Sequence, residues 1–136
     1  MQKAMAVIHV AAGLIERDGR YLIARRKRGV HLAGLWEFPG GKQEADETLE
    51  DCLRRELREE LAIEITAPVH FYTTEHDYRD KSVALHFFFC AIRSGEPQAL
   101  DCDELRWVTP TEMAGYDFPP ADRPVIEALQ HRALKP

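Results

Sequence analysis

The sequence has no long apolar run, few cysteines and no signal for export. Three cysteines, Cys52, Cys90 and Cys102, stand at unrelated spacings, which argues against a disulfide framework or a cysteine metal site and favours free thiols in a reducing compartment. The N-terminal apolar segment is short and is broken by His9 and Glu16, so neither a signal peptide nor a membrane span is expected. These absences predict a cytoplasmic protein that does not enter a membrane.

The chain lacks the excess of basic residues that binding to a nucleic-acid polymer requires. The chain has 18 Lys and Arg against 23 Asp and Glu, a formal net charge of −5, and sequence-independent binding to DNA or RNA depends on a basic face. A free nucleotide stays open as a ligand because a bound metal ion supplies positive charge. With 45% hydrophobic residues in 136, residues 1–136 are predicted to form one domain with a packed core.

The spacing of apolar and turn residues predicts a mixture of strands and helices. Alternation over residues 5–16, a tight turn at Asp18-Gly19 and an apolar segment at 21–24 indicate a β-hairpin. Further strands, a capped turn and a final helix are expected at residues 63–65, 68–78, 82–92, 104–108, 109–113 and 120–133. Mixed strands flanked by two main helices predict an α/β sandwich.

A charged segment at residues 41–63 holds the most specific pattern in the chain. It reads GKQEADETLEDCLRRELREELAI. Thr48 followed by Asp51 is a typical N-cap pair, and leucines recur every four residues after it, so a helix over residues 48–61 is expected.

Three glutamates of this helix are predicted to form one acidic patch. At about 100° per residue, Glu56 and Glu60 lie one turn apart on one face, with Glu59 beside them. At the margin of the leucine stripe, burial and like charges are expected to raise carboxyl pKa values. Oxygen ligands favour Mg²⁺ or Mn²⁺ over zinc, and Mg²⁺ often completes its shell with phosphate oxygens. The plain alternative is a charged helix with i,i+4 pairs such as Arg55 with Glu59.

Residue by residue, the segment resembles the Nudix box: Gly, five residues, Glu, seven residues, Arg-Glu, an apolar residue, any residue, Glu-Glu, any residue, Gly, an apolar residue. The matching positions are Gly41, Glu47, Arg55, Glu56, Leu57, Glu59, Glu60 and Ile63. Ala62 replaces the last glycine, and a Cβ in the left-handed conformation costs on the order of 1 kcal/mol, so a different helix cap is expected. The runs AGLWEFPGGK and DFPPADRPVI, at 33–42 and 117–126, resemble the nucleotide-binding segments of MutT-type members of the family.

The resemblance implies a Nudix α/β/α sandwich, with a mixed β-sheet between helices, that hydrolyses nucleoside triphosphates to monophosphate and pyrophosphate with Mg²⁺ or Mn²⁺. Carried over by position, Glu56, Glu59 and Glu60 are metal ligands together with the Gly40 carbonyl, and Arg55 orients a glutamate. Glu59 is the first choice for the general base. The predicted catalytic residues are Arg55, Glu56, Glu59 and Asp101.

Asp101 lies in the acidic loop before the strand that contains Trp107, where relatives have a glutamate. Because aspartate is one methylene shorter, it would reach a metal through water, and an ordinary acidic surface loop is an equal alternative. Phe38 is predicted to contact a base, whereas Trp36 is expected in the core. The predicted substrate-binding residues are Arg26, Glu37, Phe38, Lys81 and Asp122.

Asp122 stands where 8-oxoguanine-preferring bacterial enzymes of the family have asparagine. An amide donates and accepts hydrogen bonds, whereas an ionised aspartate only accepts them, so cytosine-type bases are also admitted. An N-cap of the last helix is the structural alternative for Asp122.

Four functions follow from these observations. The expected function is hydrolysis of 8-oxo-dGTP and related nucleotides, which sanitises the nucleotide pool, and a CTP or 5-methyl-dCTP pyrophosphohydrolase is the alternative enzyme. Two alternatives without turnover are a Nudix-fold nucleotide sensor and a structural Ca²⁺-binding module. Monomer and homodimer both stay open.

Overall fold

Nine strands and two α-helices follow one another within residues 6–134, the part of the chain that the computed structural model describes. In chain order they are β1 (Ala6–Arg17), β2 (Arg20–Arg25), β3 (Trp36–Glu37), β4 (Gly40–Lys42), α1 (Leu49–Leu61), β5 (Glu64–Ile65), β6 (Val69–Asp77), β7 (Lys81–Cys90), β8 (Ile92–Ser94), β9 (Glu104–Val108) and α2 (Arg123–Ala133). Short 3₁₀ turns occupy Glu112–Gly115 and Pro120–Asp122. Met5, the predicted start of the first strand, lies outside the described residues.

The first two strands form the hairpin that the sequence predicted. Asp18 and Gly19 have φ values of 53° and 78°, which suit the turn that joins two right-twisted antiparallel strands. Arg17 pairs with Arg20 directly across this turn.

The long strand β1 organises the main sheet. It runs parallel to β7 from the Ala6–Lys81 pair to the Ile15–Cys90 pair, and it pairs antiparallel with β4 where Ala12 lies opposite Gly40. Beyond β7, the edge strand β6 is antiparallel, and on the other side β2 carries β3 and β9. The sheet is therefore mixed, and β5 and β8 form a separate two-stranded pair.

Both faces of β1 are buried because a helix covers each side of the sheet. Ala11 and Ile15 belong to the core beneath α1, whereas Ala12 and Leu14 belong to the core beneath α2. A Cβ on Gly13 would lie 3.3 Å from Leu57 Cδ1, so glycine lets α1 pack closely on the strand. This arrangement confirms the predicted α/β/α sandwich. Neither α-helix within residues 6–134 combines the length and apolar character needed to cross a lipid bilayer.

The helix α1 begins as predicted but ends differently. Thr48 caps it by accepting a hydrogen bond from the Asp51 N–H at 3.1 Å. Ala62 adopts the left-handed conformation itself, at φ 59° and ψ 38°, and its N–H donates to the Arg58 carbonyl, so the expectation of a different cap was wrong. The buried neighbours Leu61 and Ile63, each 1% exposed, favour the reversal of the chain at this point and offset the cost of the Cβ.

Candidate active site

The guanidinium of Arg55 joins three glutamates at the centre of the site. It binds Glu47 through two hydrogen bonds, Nη2 to Oε1 at 2.7 Å and Nε to Oε2 at 3.1 Å. Its Nη1 donates to Glu56 at 2.9 Å and to Glu59 at 3.4 Å, and its Nη2 also donates to the Lys42 carbonyl at 3.1 Å. The paired fork fixes the plane of the guanidinium, so its remaining nitrogen Nη1 meets Glu56 in a fixed direction.

Electrostatics at this cluster favour the charged forms of the paired groups. Hydrogen bonds from Arg55 lower the pKa of Glu47 to about 2, and the backbone N–H of Glu44 acts in the same direction. The carboxylates of Glu47 and Glu56 in turn raise the pKa of Arg55. Glu47 and Arg55 therefore keep their charges throughout the physiological pH range.

Two glycines before α1 leave room that a side chain would fill. A Cβ on Gly41 would lie 2.3 Å from the Glu56 carboxyl carbon, and one on Gly40 would lie 2.0 Å from the Ala11 carbonyl oxygen. Glycine at 41 thus lets the Glu56 carboxyl group rest directly on β4. The Gly-Gly pair of the sequence motif has a steric explanation here.

Glu60, one helical turn after Glu56, lines a small acidic cavity. Burial raises the pKa of Glu60 to about 8, and the nearby carboxylates of Glu56, Glu37 and Asp101 raise it further, whereas a backbone hydrogen bond from Gly40 acts in the opposite direction. The sequence predicted this effect of burial and like charge for the patch. A carboxylate in such surroundings gains stability from any cation that binds beside it.

The pH dependence of stability follows from Glu60. In the metal-free protein the folded state keeps this proton up to about pH 8, whereas the ordinary pKa is 4.5. The folded state binds more protons than the unfolded state in that window, so this group's contribution to the free energy of unfolding falls as pH rises from 4.5 to 8. Glu60→Gln is expected to stabilise the metal-free protein at pH 8 relative to wild type, and to do so less at pH 5.

Urea unfolding in EDTA at both pH values measures this difference. The exposed Glu50 on the same helix supplies the control, because Glu50→Gln is expected to shift the urea midpoint little at either pH. A Glu60→Gln protein that is no more stable than wild type at pH 8 would contradict the buried, crowded state of Glu60.

The cavity at Glu60 gathers four titratable side chains from three parts of the chain, namely β3, α1 and the loop before β9. It is lined by Ala24, Glu37, Pro39, Glu60, Leu61, Asp101 and Cys102. Asp101 thus lies beside the glutamates, and it also accepts a hydrogen bond from Lys27 Nζ at 2.5 Å. Sequence reasoning did not predict this pair, because a partner 74 positions away leaves no local signal.

Glu37 lies between this cavity and Asp122. Arg26 Nη1 donates to Glu37 at 2.7 Å, and Arg26 Nε donates to the His31 carbonyl at 2.7 Å. Burial raises the pKa of Asp122 to about 7, and the charge of Glu37 adds to the shift. Asp122 is 8% exposed and makes no side-chain capping bond to α2, so the structure gives the capping alternative no support.

Two of the predicted substrate contacts are placed elsewhere. Phe38 is 4% exposed, and its ring stacks on Phe118 at 5.3 Å and meets the Phe87 ring edge-on at 5.9 Å. It is a core side chain here and offers almost no surface to a base, contrary to the prediction. Lys81 opens β7 opposite Ala6, six positions along β1 from the residue opposite Gly40. At about 3.3 Å per residue, it is roughly 20 Å from the glutamates.

The predicted acidic patch is divided in this structure. Glu56 and Glu59 turn towards Arg55, whereas Glu60 faces the cavity, and within residues 6–134 no three His, Cys, Asp or Glu side chains are arranged as a metal-binding group. The atoms that could bind a metal ion are nevertheless carboxylate oxygens, and the carboxyl group of Glu60 is buried among like charges. This chemistry fits a hard divalent cation.

Comparison with known proteins decides the family. The profile of the NUDIX domain matches residues 10–128, which includes both sides of the sheet and all the glutamates described above. The chain belongs to the Nudix family. It is a hydrolase, and hydrolases of this family act on phosphoric anhydrides with a divalent metal ion.

Individual Nudix relatives match over nearly their whole length. A CTP pyrophosphohydrolase of Escherichia coli strain K12 is 41% identical over 133 residues, which cover 97% of this chain and 98% of the relative. An 8-oxo-dGTP diphosphatase of the same organism is 35% identical over 130 residues, covering 93% and 98%. The solution structure of the E. coli ORF135 protein has a TM-score of 0.84 at 40% identity, covering 97% of this chain and 95% of that one.

Proposed function

We propose that this Nudix hydrolase cleaves free nucleoside triphosphates to the monophosphate and pyrophosphate in the cytoplasm, with Mg²⁺ or Mn²⁺ as the cofactor. The preferred substrate we propose is 8-oxo-dGTP, with related oxidised nucleotides, so that the reaction sanitises the nucleotide pool. The observation that carries the proposal is the crowding of Glu60 with Glu56, Glu37 and Asp101. The names of the two E. coli relatives support a nucleoside triphosphate as the substrate.

The residues that would hold the metal are Glu56, Glu59, Glu60 and the Gly40 carbonyl. When bound, Mg²⁺ supplies neutralisation of phosphate charge and a coordination frame for the phosphate oxygens. Asp101 adds a carboxylate at the cavity and is held there by Lys27. The oxygen-only donor set favours Mg²⁺ over softer ions.

The protein side of the reaction needs a base and fixed geometry. Glu59 is half exposed at 59% of its side chain, so water reaches it, and we assign it the removal of a proton from the attacking water. Arg55 holds Glu56 and Glu59 in place through one nitrogen. Arg26 and Glu37 are assigned to the substrate side, where their ion pair borders the cavity.

A turnover screen tests the proposal. Common and oxidised nucleoside triphosphates are incubated with Mg²⁺, and released pyrophosphate is measured. In ¹⁸O-labelled water, attack on the β-phosphorus is expected to place the label in pyrophosphate. Label in the monophosphate would mean attack on the α-phosphorus, and orthophosphate as the first product would overturn the proposed bond choice.

A second substrate class is favoured by Asp122. An ionised carboxylate accepts from the N4 amino group of cytosine or from the N1–H and N2 amino group of a guanine, whereas the protonated form also donates. Because the pKa of Asp122 is raised to about 7 by burial, both forms are present near neutral pH. CTP or 5-methyl-dCTP is therefore the alternative substrate that the screen must include.

Asp122→Ala is expected to lower kcat/KM for the preferred nucleotide by roughly tenfold to a few hundredfold. The reason is that loss of a hydrogen-bonding partner in a buried site typically costs about 1–3 kcal/mol. The kcat/KM of poor substrates is expected to fall less, so the difference in kcat/KM between good and poor substrates becomes smaller. Kinetics on two or more nucleotides measures the effect.

The exposed Asp80 provides the control variant, since Asp80→Ala is expected to leave the ranking and the rates unchanged. If Asp122→Ala lowers thermal stability but keeps the substrate ranking, Asp122 has a structural role and does not read the base.

A further inference from the structure

Three histidines on neighbouring strands are joined through one threonine, away from the candidate active site. His9 Nδ1 lies 3.0 Å from His86 Nε2, His86 Nδ1 lies 3.0 Å from Thr73 Oγ1, and Thr73 Oγ1 lies 2.6 Å from His70 Nε2. These four side chains, here named the histidine clasp, connect β1, β7 and β6. The clasp crosses the parallel β1–β7 pair and ends on the edge strand.

The contact between the first two rings has the geometry of a nitrogen-to-nitrogen hydrogen bond. The ring centres of His9 and His86 are 5.2 Å apart, and the ring planes differ by 20°. The two nitrogens are 3.0 Å apart, and the ring centres are farther apart than the nitrogens by about one ring diameter. The nitrogens therefore lie between the ring centres, and the rings meet edge to edge in nearly one plane. One nitrogen therefore donates and the other accepts.

This bond limits how much charge the two rings can carry. A neutral imidazole has one donor and one acceptor nitrogen, whereas a protonated imidazole has two donors. If either His9 or His86 is charged, the other still supplies the acceptor. If both are charged, two N–H groups face each other and the contact cannot persist.

The surroundings of His86 act in the same direction. Burial is the largest cause that lowers the pKa of His86, and the neighbouring rings of His9 and His70 lower it further. The carboxylate of Glu75 acts in the opposite direction. Glu75 lies on β6 opposite Ala84, two pairs away from Thr73 and His86. Asp77, the next carboxylate on that strand, accepts from Ser82 Oγ at 2.6 Å. The uncharged form of His86 is therefore the one that the folded protein favours.

The backbone links the clasp to the loop before α1. The His9 carbonyl accepts a hydrogen bond from the Gln43 N–H at 2.8 Å. Gln43 Nε2 donates to the Glu47 carbonyl at 2.8 Å, and Glu47 forms the two-bond pair with Arg55. These hydrogen bonds connect the backbone at His9 to the residue that pairs with Arg55.

We propose that the histidine clasp is an acid-sensitive lock: it holds β1 against β7 and β6 at neutral pH, and it loosens the loop that carries Glu47 when His9 and His86 both become charged. The lock is a property of the fold and does not depend on the proposed reaction. Its sign follows from linkage, because the unfolded chain binds more protons than the folded one below the ordinary histidine pKa of 6.5. The stabilisation is present above that pH and is lost as pH falls.

Urea unfolding of the metal-free protein between pH 8 and pH 5 tests the lock. Wild type is expected to lose more stability than His86→Gln as the pH falls, with a difference in slope of about one proton. His131, exposed on α2, gives the matched control, since His131→Gln is expected to keep the wild-type slope. Equal slopes for wild type and His86→Gln would overturn the proposal.

Nuclear magnetic resonance on the wild-type protein tests the same point without a substitution. The His86 ring is expected to take up its proton at a pH below the ordinary histidine value. Protection of the Gln43 amide against hydrogen exchange, corrected for the intrinsic rate, is expected to fall at least severalfold between pH 7 and pH 5.

Titration of the His86 ring at or above pH 6.5 would overturn the lock, and unchanged Gln43 protection would overturn its link to the loop. No nucleotide or metal is present in any of these measurements. Their failure would therefore leave the proposed hydrolysis untouched, and a failed turnover screen would leave the lock untouched.

Discussion

Glu59→Gln and Glu60→Gln are each expected to lower kcat/KM by about a thousandfold or more while the fold stays intact. Glutamine keeps the size of the side chain but removes the charge that a divalent cation needs and the basic oxygen that takes a proton from water. Glu60 is the buried member of the cluster, next to Glu56, Glu37 and Asp101. Glu59 is the exposed member, paired with Arg55.

Steady-state kinetics with saturating Mg²⁺ and a thermal melt of each variant measure both parts of this expectation. Glu50→Gln changes an exposed glutamate of the same helix and is expected to keep wild-type activity. Added Mg²⁺ is expected to raise the melting temperature of wild type more than that of Glu60→Gln. Retention of more than about a tenth of wild-type activity by either variant would rule out an essential role at that position.

Arg55→Lys is expected to lower kcat by about a hundredfold, although the positive charge is kept. Lysine presents one ammonium group and cannot reproduce the two parallel bonds to Glu47 while it also binds Glu56. Glu56 then loses its fixed orientation. Because Arg55 acts through the glutamates, the dependence of rate on Mg²⁺ concentration is expected to weaken as well, and a titration of rate against Mg²⁺ measures this.

Arg54 supplies the matched control for that substitution. It is the preceding residue on α1 and forms an exposed pair with Asp51 at 2.9 Å, so Arg54→Lys is expected to change activity less than twofold. If Arg55→Lys keeps more than half of the wild-type kcat, bidentate positioning is not what Arg55 contributes.

The short strands show what local sequence could not predict. β3 and β4 span two and three residues, too few for an alternating pattern, and each exists because a longer partner strand offers hydrogen-bonding groups beside it. Trp36–Glu37 pairs with the end of β2, although no strand was predicted at these residues. Pairing of this kind depends on distant parts of the chain and leaves no periodic signal.

The sequence by itself determined the elements with strong local signals. The hairpin turn at Asp18-Gly19, the Thr48 cap and the α1 helix depend on residues within a few positions of each other, so local physics specifies them. The spacing of the box likewise identified the family, because the glutamates and Arg55 come from one helix and the loop before it. The raised pKa of Glu60 also followed from helix periodicity, which placed a carboxylate beside the leucine stripe.

Tertiary structure alone decided which side chains meet across the sheet. The pairs Lys27–Asp101 and His9–His86 are separated by 74 and 77 positions, and Phe38 became a core ring because Phe87 and Phe118 enclose it. The register of β7 on β1 places Lys81 far from the glutamates. One physical reason explains all of these contacts. Strand order and strand register set the distances between the side chains. Order and register are in turn fixed by burial of both sheet faces at once, which no single segment encodes.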